Sequence, residues 1–240
     1  MVPTRHSART MLRAILFDFN GVIADDETPH LQCFQQALAE FGLSLTREEY
    51  YGRYLGMDER SCADALLQLR DGKVDEEIRR AIVTRKADLF RAYTADHKPA
   101  LFPGVETFVK QAKKRYRLAI ASGGRREQID HALRDTSIEP DFDVIVSADD
   151  VAVGKPDPTF YLHTLRLLNA RLPRPPLLRA DECLVIEDSR AGILAGKAAG
   201  MRVVALTTTY PADQLTDADL ILHTLQDRTV NDVVEQLAFA

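Results

Sequence analysis

The chain has 240 residues, enough for one large domain or for a domain carrying a smaller inserted one. Its 45% hydrophobic and 28% charged residues supply matter for a real core, and a formal net charge of −5 lacks the basic footprint of a nucleic-acid binder. No run approaches the roughly 20 apolar residues that span a bilayer, so neither a membrane nor a nucleic acid is expected as a partner.

Met1 to Thr10 carries Arg5 and Arg9 but no apolar stretch of the kind a secretory signal needs. Residues 1–11 therefore read as a flexible tail, and Met11 is a plausible alternative start. The first strong element is the apolar run Ala14-Ile15-Leu16-Phe17, which ends on Asp18 and is soon followed by Gly21. A run apolar on both faces suits a central strand of a parallel sheet covered by helices. Asp18 then falls at the strand's carboxyl end, where open α/β sheets place their ligands.

A polar break, Asp25 to Pro29, precedes a helix predicted from His30 to Phe41 on the face of Leu31, Phe34, Leu38 and Phe41, closed by Gly42. Thr46-Arg47-Glu48-Glu49 has the form of a capping box opening a second helix, which Leu55 to Arg60 breaks. Helices over Ser61–Arg70 and Asp75–Ala95 follow. Residues 28–97 thus lack any strand signal and read as a four-helix insertion between the first strand and the remainder.

From Pro99 the pattern alternates. Pro103 suits a helix's first turn, with the helix continuing to about Lys114. Strands are predicted at Arg117–Ala121, Asp143–Val146, Cys183–Ile186, Arg202–Leu206 and Asp219–Leu222. Helices fall between and after them, at Arg125–Arg134, Thr159–Asn169, Ser189–Ala199 and Val230–Leu237, with a Pro-rich surface loop over Leu172–Leu178. Such alternation predicts an α/β fold with a doubly wound parallel sheet, built from residues 12–27 and 98–240. Cys33, Cys62 and Cys183 are odd in number and far apart, so buried free thiols and a reducing, cytoplasmic setting are expected.

Polar groups recur at these strand ends. Asp18 and the pair Glu187-Asp188 can hold a hard divalent cation, and Mg²⁺ favours one or two carboxylates, waters and phosphate oxygens. Lys155 offers a point charge for phosphate, Ser122 a hydroxyl, and Gly123-Gly124 a turn whose N–H groups can cradle an anion. Singly, each has an ordinary structural reading as a cap, a turn or a solvated side chain. Together they describe a phosphoryl site with an Asp nucleophile.

In these motifs the chain resembles the haloacid dehalogenase (HAD) superfamily, in the helical-cap branch near β-phosphoglucomutase and the CbbY-type sugar phosphatases. Phe17-Asp18-Phe19-Asn20-Gly21-Val22 is similar to its first motif, Ser122 to its second, Lys155 in Gly-Lys-Pro-Asp-Pro to its third, and Glu187-Asp188-Ser189 to its fourth. The likeness runs from Leu12 through nearly the whole chain. It implies Asp18 as nucleophile and Mg²⁺ ligand, the Asn20 main-chain carbonyl and Asp188 as further ligands, and Glu187 in or behind the ligand set. Ser122 and Lys155 would bind the phosphoryl oxygens. Residues 28–97 would be a mobile cap, with Tyr51, Asp58, Glu59 and Arg60 in the stretch that faces the active site and His30 near the hinge.

Two positions depart from the family pattern. Asn20 stands where the family has the Asp that gives and takes protons, and Asp26 stands where close relatives have Ser or Thr. The sequence therefore points to an Mg²⁺-dependent phosphatase of a small phosphorylated metabolite, a sugar phosphate above all, working as a monomer or homodimer. A catalytically impaired protein that binds a phosphorylated ligand or partner is the alternative. A phosphomutase is disfavoured because both its half-reactions need the missing acid.

Overall fold

The computed structural model describes residues 10–54, 57–237 and 239. Most of the expected N-terminal tail, and Leu55-Gly56 of the expected helix break, lie outside the described residues.

Six strands form one parallel sheet: β1 (Ala14–Phe17), β4 (Arg117–Ala121), β5 (Val144–Val146), β6 (Cys183–Glu187), β7 (Arg202–Leu206) and β8 (Leu220–Leu222). Their order is β5-β4-β1-β6-β7-β8, so the chain winds outward one way from β1 and then returns to wind the other way from β6. Ligand crevices of open sheets form at such a reversal, outside the carboxyl ends of the strands.

The sheet is buried on both faces because its strands alternate between two apolar layers. Ile15, Phe17, Leu118, Ile120, Leu184 and Ile186 enter one core. Ala14, Leu16, Ala119, Ala121, Cys183 and Val185 enter the other. Helices α5 (Val105–Lys113), α6 (Arg126–Leu133) and α9 (Val230–Gln236) supply the first layer. Helices α7 (Thr159–Ala170) and α8 (Arg190–Ala198) supply the second. The three cysteines are buried free thiols, as the spacing predicted, and no described helix is long and apolar enough to cross a membrane.

The inserted helices have their own core of Leu31, Phe34, Leu38, Cys62, Leu66, Leu67, Ile82 and neighbours. They are α1 (Glu27–Glu40), α2 (Arg47–Glu49), α3 (Glu59–Asp71) and α4 (Glu76–Asp96). The Thr46 capping box forms, but the second helix ends after one turn and continues as a wider π-helical turn over Tyr50–Tyr54.

Two other expectations are corrected. Glu27 to Pro29 of the polar break already form the first helix's first turn, where Pro29 is tolerated because its missing N–H needs no partner there. Pro103 lies in a turn ahead of α5, whose N-cap is Gly104. An unforeseen two-stranded antiparallel pair, β2 (Ala24–Asp25) with β3 (Ala100–Leu101), joins the chain segments that enter and leave the helical insertion.

Candidate active site

Asp18 extends β1 by one residue, its N–H donating to the Ile186 carbonyl at 2.9 Å. This bond holds the carboxylate between the ends of β1 and β6. The chain then turns at Gly21, at φ +76°, where a Cβ would lie 1.9 Å from Asp188 Oδ2. Glycine is required there twice over, by the backbone and by the carboxylate pressed against it.

Lys155, on the loop before α7, is buried and bridges Asp18 Oδ1 at 2.7 Å and Glu187 Oε1 at 2.6 Å. Burial opposes its charge, but Asp18 and Glu187 together hold its pKa above the ordinary lysine value. The Tyr161 hydroxyl donates to the same Glu187 oxygen at 2.7 Å. The other oxygen, Oε2, accepts from the N–H groups of Asp188 and Ser189 and from Ser189 Oγ. Both Glu187 oxygens are thus engaged by the protein, while a Cβ on Gly192 would fall 1.7 Å from Oε1, so α8 packs directly on this carboxylate. Burial would raise the Glu187 pKa, yet Lys155 outweighs it and keeps the group low and ionised.

Asp18 and Asp188 behave in the opposite way. Burial, opposed by Lys155 and reinforced by Glu187, pushes the Asp18 pKa up to about 7. Burial and then the neighbouring Glu187 and Asp18 carboxylates raise that of Asp188 well above the usual carboxylate range. One oxygen from each of Asp18, Glu187 and Asp188 lies within 4.8 Å of the others. Such a buried acid cluster is short of positive charge and fits a hard divalent cation. With Glu187 committed to Lys155, Tyr161 and Ser189, the oxygens that suit the cation best are those of Asp18 and Asp188. Because both acids must ionise to hold it, binding releases protons. The affinity for a hard divalent cation, with Mg²⁺ as the probe, should therefore rise as the pH goes from 6 to 8. Titration calorimetry in buffers of different ionisation enthalpy measures this, and a pH-independent affinity would contradict it.

Ser122 follows β4 and accepts from the Gly124 N–H at 3.0 Å. That N–H is therefore spent within the turn, and Gly123 lines the cleft. Ser122 Oγ lies 3.5 Å from Asn20 Oδ1, and Asn20 Nδ2 donates to Asp26 Oδ1 at 2.7 Å. His30 stacks on Phe90, with ring centroids 3.9 Å apart, and its Nδ1 lies 2.5 Å from Lys86 Nζ. Lys86 in turn is bonded to Glu59.

Asn20, His30, Glu59, Lys86, Ser122 and Gly123 line a cleft between the sheet and the helical insertion. Of the residues singled out in the sequence, Asp18, Asn20, His30, Glu59, Ser122, Gly123, Lys155 and Asp188 line it, and Glu187 lies directly behind. Tyr51, Asp58 and Arg60 do not line it. Tyr51 carries the Arg47 guanidinium 4.8 Å over its ring. Asp58 is the N-cap of α3, accepting from Arg60 N, Ser61 N and Ser61 Oγ. Arg60 donates to the Ala148 and Val151 carbonyls and so ties α3 to the loop after β5. The sequence reading passed over Lys86, Glu27, Tyr50 and Tyr161. Lys86 alone left a signal: it sits on the buried stripe of α4 with Ile82 and Phe90, where a charge needs a partner.

A family model described as haloacid dehalogenase-like hydrolase matches residues 12–200. Protein CbbY of Rhodobacter capsulatus is 35% identical over 224 residues, covering 87% of this chain and 91% of that protein. The phosphorylated carbohydrates phosphatase of Thermotoga maritima is 30% identical over 192 residues, with 79% and 82% covered. The crystal structure of CbbY from Rhodobacter sphaeroides in complex with xylulose-(1,5)bisphosphate superposes with a TM-score of 0.79 at 26% identity, covering 96% of this chain and all of that one.

Proposed function

The chain belongs to the haloacid dehalogenase-like hydrolases, and we propose that it is a phosphatase of a small phosphorylated sugar or similar metabolite, working through an aspartyl-phosphate on Asp18. The observation that carries this reading is the buried Lys155 held between Asp18 and Glu187 at the sheet's reversal, beside Asp188. An Asp oxygen, a fixed ammonium and a serine hydroxyl then meet where a phosphoryl group can sit. Relatives named as phosphatases of phosphorylated carbohydrates and of validoxylamine A 7′-phosphate support the substrate class.

Lys155 and Ser122 would bind the phosphoryl oxygens, and Glu187 would keep Lys155 charged and aimed. Asp18, Asp188 and the Asn20 main-chain carbonyl would hold Mg²⁺, which when bound neutralises phosphate charge and orients the phosphoryl group. Asp18 attacks phosphorus, the bond to the leaving oxygen breaks, and water later cleaves the aspartyl-phosphate. The helical insertion, residues 28–97, acts as a cap that excludes water and reads the leaving group, and Arg60 and the Arg91–Glu127 ion pair bind it to the core.

One observation favours a second reading, a protein that binds a phosphorylated ligand with little turnover. Asn20 has no proton to give the leaving oxygen, and its amide nitrogen is already bonded to Asp26. A screen of phosphorylated metabolites with and without Mg²⁺ separates the two. Mg²⁺-dependent phosphate release from a sugar phosphate is expected. Thermal stabilisation by ligands without any release would instead establish the binder.

A further inference from the structure

Asp26 precedes α1 and is buried, 3% exposed, against the catalytic loop. Its Oδ1 accepts from Asn20 Nδ2 at 2.7 Å and its Oδ2 lies 3.3 Å from His30 Nε2. The hydrogen on that ring can be assigned from donor inventories. Lys86 offers only donors, so His30 Nδ1, 2.5 Å from Nζ, accepts and the ring hydrogen sits on Nε2. His30 Nε2 and Asn20 Nδ2, 3.3 Å apart, are then both donors, and both point at Asp26. The carboxylate takes one on each oxygen.

This leaves the Asn20 amide a single orientation. Turned the other way, its oxygen would face the Asp26 carboxylate across 2.7 Å with no hydrogen between them. As it stands, nitrogen faces Asp26 and oxygen faces Ser122 and the cleft. We propose that Asp26 is a positioning residue that locks the Asn20 side chain with its oxygen toward the cleft, and that positions 20 and 26 act as one amide–carboxylate pair. In that orientation Asn20 accepts a hydrogen bond from the alcohol or water at the phosphoryl group. Flipped, it would present a second donor to molecules that also arrive with their hydrogens. This kinetic role rests on the phosphatase reading; the coupling of the two side chains does not.

Three variants test it. In Asp26→Asn the new side chain has one acceptor for two incoming donors. Asn20 is then free to turn over, and kcat should fall about tenfold with KM moved less than threefold. In Asn20→Asp two carboxylates meet where an amide donated, and the melting temperature should fall. The exchange Asn20→Asp/Asp26→Asn restores every partner, since the amide at position 26 accepts from His30 and donates to the carboxylate at position 20. It should recover at least half of the melting temperature lost in Asn20→Asp. Melting-temperature changes that merely add across the three variants would overturn the pairing, and an Asp26→Asn enzyme with wild-type kcat would overturn the positioning role. If no variant, nor the wild type, hydrolyses any phosphate, the phosphatase reading fails while the melting cycle still decides the pairing.

Discussion

On the proposed aspartyl-phosphate mechanism, Asp18→Asn should abolish phosphomonoester hydrolysis, by roughly 10⁴-fold or more, and leave a metal-free protein at least as stable as the wild type. The loss would follow from removing the oxygen that the proposed mechanism uses as nucleophile and that Lys155 holds in place, since residues acting as a catalytic unit cannot be replaced piecemeal. Stability moves the other way because the Asp18 charge is buried beside Glu187. Its folded pKa of about 7 lies above the ordinary 3.8, so over that interval the folded chain binds a proton that the unfolded chain has released. The contribution of Asp18 to the stability of the metal-free protein therefore falls as pH rises from about 4 to about 7. Asparagine carries no such charge, and its oxygen can still accept from Lys155. The melting-temperature difference between variant and wild type should widen from pH 5 to pH 8 without Mg²⁺ and shrink when Mg²⁺ is added. Activity near wild type in a verified preparation would overturn the covalent mechanism. A variant that melts below wild type at pH 8 would overturn the electrostatic account.

The sequence announced the sheet because its strands are buried on both faces. Arg117–Ala121 and Arg202–Leu206 were legible to the residue, and the carboxylates at strand ends were legible for the same reason, since a charge that stops an apolar run is conspicuous. What stayed hidden depends on partners distant in the chain. β2 and β3 are two residues each and carry no periodicity; they pair only because the insertion brings its two ends together. Asp58 reads as a site residue in the stretch Asp58-Glu59-Arg60, yet its carboxylate is consumed by capping α3. Tyr161 looks like an ordinary helix residue until Glu187 arrives from another element, and Lys86 on its buried stripe signals the need for a partner without naming His30 and Glu59. Asp26 was conspicuous as a departure, but its purpose needed the 2.7 Å bond to Asn20.

That bond also changes what restoring an acid at position 20 should do. Asn20→Asp alone sets two carboxylates against each other, so the informative protein is the exchange Asn20→Asp/Asp26→Asn. A phosphoryl transition state that is largely dissociative puts negative charge on the leaving oxygen, and an alkoxide leaves poorly without a proton. The exchanged protein should hydrolyse a sugar phosphate about 10²-fold faster than wild type, within the range typical of a positioned general acid. For p-nitrophenyl phosphate, whose leaving group needs no proton, the gain should be small. The comparison requires wild type with an intact amide. Asn20-Gly21 is a dipeptide prone to cyclise and deamidate, because glycine puts no side chain in the way. The Gly21 N–H that must attack is bonded to the Ala24 carbonyl at 2.9 Å, and the Asn20 nitrogen is bonded to Asp26, so the folded loop should resist the reaction. Peptide mass spectrometry settles the deamidated fraction before any rate is compared. If protein verified as Asn20 matches the exchanged variant on alkyl phosphates, Asn20 is no handicap, and the proton reaches the leaving oxygen from another group or from the substrate itself.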